Sequence, residues 1–118
     1  MPMTIQETKQ AIEQDRTHWQ IPLMEFVDEF RRTRDQALFA VPFPQGDERL
    51  DALLASTVES VCDEFGLEAP EWVWNVPACR KPWFVSGLEG VKAITIVESP
   101  VYFRRRKIFV LANFLDRV

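Results

Sequence analysis

The sequence predicts a mainly α fold, a compact helical domain with an aromatic, Pro-rich C-terminal wrap and room for a short β element that would make it α+β. Three observations carry this. Apolar residues recur at helical spacing from Leu50 to Phe65, and a second amphipathic stretch runs from Leu23 to Phe30. Between Pro70 and Phe84, prolines and tryptophans crowd together in a pattern that fits neither helix nor strand period. A length of 118 residues suits one core, so residues 1–118 are read as a single domain. Apolar residues at 47% and charged residues at 27% place the chain among globular proteins rather than disordered ones.

Residues 4–18 are polar, with only Ile5, Ala11 and Ile12 apolar, so 1–18 is expected to form a mobile arm or a short helix. Pro22 suits the first turn of a helix, where its missing N–H costs nothing. Leu23, Phe26, Val27 and Phe30 then mark one face of a helix running to about Arg34. Two prolines around Phe43, followed by Gly46, make 37–46 a connector that sets Phe39 and Phe43 on the core. Asp47 is placed to cap the next helix, 48–65, whose wide apolar face includes Leu50, Leu53, Leu54, Val58, Val61 and Cys62. Gly66 sits where a left-handed residue ends such a helix. The 22–34 helix and the later aromatics are the simplest cover for that face.

Pro70 should open a single helical turn that carries Trp72 inward, and the tryptophans of this segment are expected to plug the core. Residues 86–98 are ambiguous: Leu88, Val91, Ile94 and Val97 suit a helix, whereas the β-branched run Ile94–Val97 suits a strand. Helix is the reading adopted. Ser99 and Pro100 then read as N-cap and first position of a turn through Phe103. Ile108–Leu111 reads as a short strand or buried extended segment, and 113–118 as a terminal helical turn.

Most catalytic classes lack their residues. There is no phosphate-cradling Gly-rich loop, no Ser nucleophile elbow and no Cys-x-x-Cys, so neither a cofactor nor a metal is expected. His18, the single histidine, sits in the polar N-terminal stretch and reads as a solvated surface group. The carboxylate pairs Asp28/Glu29, Asp47/Glu48 and Asp63/Glu64 fall on polar helix faces, not in the contrasting environments that acid–base catalysis needs. The chain is therefore expected not to be an enzyme. Cys62 reads as a small core residue; Cys79, beside Arg80 and Lys81, reads as an ordinary loop cysteine. No apolar run reaches the roughly 18–20 residues of a membrane span. The first residues lack a secretory pattern, and a cytoplasmic location is the default expectation.

The feature that asks for an explanation is the run Tyr102-Phe103-Arg104-Arg105-Arg106-Lys107, in a chain of net charge −4. Adjacent cations repel one another unless something negative answers them. Residues 1–60 carry six Lys/Arg against eleven Asp/Glu, and 61–118 carry eight against seven, so an acidic helical layer can answer a mildly basic one. The favoured reading is that some of these arginines staple the two layers internally. A protein-partner surface on Tyr102, Arg104, Arg105, Arg106 and Lys107 comes second. A nucleic-acid contact by Arg104–Lys107 comes third, because the chain's isoelectric point near 5.0 is unlike that of dedicated binders.

The C-terminal part resembles a bacterial family of uncharacterised proteins. The resemblance is carried by Pro70-Glu71-Trp72-Val73, Lys81-Pro82-Trp83-Phe84, Glu98-Ser99-Pro100, Phe103 to Val110 and Asn113-Phe114-Leu115. In that family the block stands alone or follows helix-turn-helix repressor domains, often beside a nucleotidyltransferase-like gene. The resemblance implies a toxin–antitoxin or regulatory module and transfers no enzymatic residue. The N-terminal half departs from the fused form, because a double-proline connector replaces the tight turn of a helix-turn-helix. The expected function is a non-enzymatic protein-binding or regulatory module, antitoxin-like, with a co-encoded protein as partner. Nucleic-acid accessory binding is the alternative, no membrane partner is expected, and self-association is left open.

Overall fold

The computed structural model describes residues 3–85 and 89–116. Leu88, expected on an inner helix face, and residues 117 and 118 of the expected terminal turn lie outside the described residues. The described chain is mainly helical, with a two-stranded parallel sheet. It groups into two compact units, 3–44 and 45–116, divided at the Pro42–Gly46 connector.

In the first unit the polar N-terminal stretch is a helix, α1 (Ile5–Gln14). Thr4 and Glu7 form a reciprocal capping box: Glu7 N–H donates to Thr4 Oγ1 at 3.1 Å and Thr4 N–H to Glu7 Oε1 at 3.2 Å. The inward stripe is Ile5, Thr8, Lys9 and Ile12. Two of these four are polar yet satisfied, so the apolar pattern alone does not separate helix from arm, and the structure selects the helix. The Thr8 hydroxyl donates to Thr4 O at 2.8 Å. The Lys9 ammonium donates to Pro44 O and lies 5.1 Å from the Phe43 ring centre. Asp15 caps a 3-10 turn, Arg16–His18, that leads into α2 (Gln20–Thr33). This helix opens two residues before Pro22, which is tolerated because the first turn's N–H groups have no helical partner. Leu23, Phe26, Val27 and Phe30 are buried as expected, and Arg34 ends the helix at φ 54°. Phe39 packs on Phe30 with ring centres 5.1 Å apart, and Phe43 is buried too.

The second unit is built on α3 (Glu48–Glu64). Asp47 caps it, accepting from Leu50 N–H at 3.2 Å. Gly66, at φ 66°, closes it: Leu67 N–H reaches Cys62 O at 2.9 Å and Gly66 N–H reaches Asp63 O at 3.2 Å, the paired bonds of a Schellman ending. Burial extends beyond the apolar face to Asp51, Ala52, Ala55, Ser56 and Glu59. The helix is covered by the 3-10 turn Glu71–Asn75 and by α5 (Val101–Arg104).

The tryptophans do not plug this core. Val73 (0% exposed) and Val76 (5%) fill it, while Trp72 is half-buried and Trp74 is 61% exposed. A 3-10 turn directs one residue in three inward, and Pro70, extended at φ −64° and ψ 149°, sets the phase so that this residue is Val73.

The strand β1 (Trp83–Phe84) pairs in parallel with β2 (Ile108–Phe109), Trp83 opposite Ile108 and Phe84 opposite Phe109. The Phe84 and Phe109 rings stack at 5.1 Å. Only β2 was expected; β1 carries no alternation that would announce it. The 86–98 region contains a helix, α4 (Glu89–Glu98), but not with the expected inner face. Thr95 is buried, while Ile94, Ile96 and Val97 are exposed. The reason lies at Ser99, which is not an N-cap. Its hydroxyl accepts from Val110 N–H at 2.8 Å and directs its own proton toward the carbonyls of Thr95 and Val110. This stitch turns the Thr95–Ser99 side of α4 inward. Pro100 then precedes α5 with no side-chain cap. Phe103 is buried, edge-on to Phe114 at 5.6 Å, and a turn at 112–115 ends the described chain.

Candidate functional site

The four-cation run leaves a helix of only four residues and continues as a tight turn. Arg105 N–H reaches Val101 O at 2.9 Å, Arg106 N–H reaches Phe103 O at 3.0 Å and Lys107 N–H reaches Arg104 O at 2.9 Å. Successive side chains therefore diverge, and the cations do not share a face.

Arg106 points into the second unit and is 4% exposed. Its Nη1 pairs with Glu59 Oε1, and its Nη2 donates to Val73 O at 2.7 Å. Glu59 projects from α3 and is itself buried. Its other oxygen, Oε2, pairs with Nη2 of Arg105. Ser56, one turn earlier on α3, donates its hydroxyl proton to Tyr102 O at 2.9 Å. One buried carboxylate thus holds two adjacent arginines, and Arg106 additionally ties α3 to the 71–75 turn.

Arg106 is therefore removed from the expected partner-contact set: a guanidinium this enclosed is a structural ion. Arg105 belongs to both worlds. Its side chain is 43% exposed, and its guanidinium carbon lies 5.0 Å from the Trp74 ring centre and 5.9 Å from that of Tyr102. The Tyr102 hydroxyl is held above its ordinary pKa by burial and by hydrogen bonding to Asp63. Arg104 is exposed, and its side chain has no ion-pair or hydrogen-bond partner among the described residues. Lys107 is exposed on a left-handed backbone, φ 62°, which reverses the chain so that β2 can meet β1.

The expected set is thus divided. Tyr102 and Arg105 join Trp74 in an exposed cation–aromatic trio, Arg104 stands free beside them in sequence, Arg106 is interior, and Lys107 turns toward β1. Two participants were missed in the sequence. For Trp74 the sequence pattern predicts a core position, whereas it is 61% exposed. Glu59 had a readable signal: Ala52, Ala55, Ser56 and Glu59 form a second inward stripe at i, i+3, i+4, i+7, and a carboxylate ending such a stripe needs a cation.

Elsewhere, Cys79 is buried, and burial raises its thiol pKa, helped by Glu48; Arg49 and Lys107 act in the opposite sense. Burial also pushes Cys62 up to about 11. His18 is exposed, with Nδ1 2.9 Å from Asp15, whose carboxyl pKa is lowered by that contact. Among the described residues no three His, Cys, Asp or Glu side chains are grouped to hold a metal, and no helix is long and apolar enough to cross a membrane. No family model, curated protein or solved structure matches the chain.

Proposed function

We propose that the chain is a non-enzymatic protein-binding module whose partner contacts Trp74, Tyr102 and Arg105, with Arg104 at the rim. The observation that supports this is Trp74, 61% exposed against an arginine already fixed from behind by Glu59. Trp, Tyr and Arg are the residues that dominate binding energy at protein interfaces. A side chain ordered before binding loses less entropy when the partner arrives. The resemblance of the C-terminal block adds the setting: a cytoplasmic, antitoxin-like or regulatory partner of a co-encoded protein. Nucleic-acid binding by Arg104–Lys107 has less support, because Arg106 is interior, Arg105 is shared with Glu59, and Arg104 and Lys107 diverge.

The test is co-purification of the tagged chain with its co-encoded neighbour, followed by titration. Trp74→Ala and Arg105→Ala should each weaken the complex by about tenfold or more, while melting shows both variants folded. Failure of the native chain to retain the neighbour, or full affinity in folded Trp74→Ala, would rule this surface out.

A further inference from the structure

A cleft of about 400 Å³ in the second unit is lined by Glu48, Arg49, Arg80 and Lys81. Three of the four lining side chains are cations. The carboxylate is already engaged, with Arg80 Nε 3.0 Å from Glu48 Oε1. Arg49 has no carboxylate partner among the described residues; its guanidinium lies 5.5 Å from the Trp83 ring centre, which fixes its direction while leaving its charge unanswered. Lys81 has no partner among the described residues. Beside this segment the backbone is held to the residue before β2: the Lys107 carbonyl accepts from Trp83 N–H at 2.8 Å. Three cations from two separate segments thus face one carboxylate that is already engaged, in a protein of net charge −4.

From this geometry we propose that the cleft binds a small phosphorylated ligand, its phosphate between Arg49 and Lys81. Arginine offers a planar fork that matches phosphate oxygens, and lysine adds a point charge. The volume lies in the range of small-molecule sites. A nucleic-acid strand would need a track of cations along its backbone, and Arg104 and Arg105 are not in this cleft. The site is independent of the surface at Trp74. Glu48 acts as its built-in competitor: it pairs with Arg80, and an arriving phosphate competes for that arginine.

The test is calorimetric titration of the full chain with inorganic pyrophosphate, with inorganic phosphate and a short single-stranded oligonucleotide as separate arms. The expected result is saturable one-to-one pyrophosphate binding, weakened at least tenfold by Arg49→Gln/Lys81→Gln and unchanged by Arg104→Gln, which removes a cation elsewhere. Glu48→Gln should tighten binding, a gain that loss of structure would not produce. Lys81→Gln alone reads the same loss if the double variant does not fold. Absence of saturation at millimolar pyrophosphate, equal weakening by Arg104→Gln, or binding of the oligonucleotide alone would each overturn the proposal.

Discussion

Replacing Glu59 with Gln keeps the side chain's shape and removes the charge that Arg105 and Arg106 both face. Taking one partner from a buried pair typically costs ~3–5 kcal/mol, because the remaining ion stays buried without compensation. Glu59→Gln should therefore lower unfolding free energy by about that amount in urea titrations. The double variant Glu59→Gln/Arg106→Met should recover a large part of it, and a Glu59→Gln loss below ~1 kcal/mol would contradict the clamp. Arg104→Gln, at an exposed position, should stay within ~0.5 kcal/mol of the native chain. Cys62 gives a pH signature. Its folded pKa is about 11 against an ordinary 9.0, so the neutral thiol is favoured on folding. That contribution is complete below the ordinary value and is lost as pH rises from there toward about 11. Denaturation over this interval should show the native chain losing stability faster than Cys62→Ala; parallel profiles would refute it.

At the scale of elements, Gly66 and Lys107 share one conformation and differ in how well their residue suits it. Around Gly66 nothing lies within 4 Å of an added Cβ, so Gly66→Ala should cost only the left-handed backbone term, about 1 kcal/mol, in the same urea titrations. At Lys107, φ 62°, a β-branched residue should be worse than lysine: Lys107→Val is expected to lower the melting temperature more than Lys107→Asn. These backbone effects also show what was legible. The Asp47 cap, the period of α3 and Gly66 agree with one another, and that helix was read almost to the residue. The 83–84 strand has two residues and exists only through pairing with a segment over twenty residues away, so no local pattern could announce it. The burial of α4 was misread for the same reason. A hydroxyl at Ser99 bonded to Val110 outweighs the apolar preference of Ile94 and Val97.

For the whole molecule, the division of charge was legible in outline: the acidic first half meets the C-terminal cation run at Glu59, and it meets Arg80 at Glu48. What composition could not show was which cations would be consumed, because that depends on the phase of a four-residue helix. The same phase would govern partner choice at the proposed binding surface. Arg105 is displayed through its stacked face while its charge is already committed inward. At the proposed surface, an acidic partner that drew the guanidinium onto its own carboxylate would strand half of an interior anion, and such partners would be disfavoured from inside the protein. A neutral or aromatic group that lies on Trp74 and leaves the arginine in place meets no such resistance. On the proposed binding surface, the buried glutamate would thus act as a selectivity filter from behind.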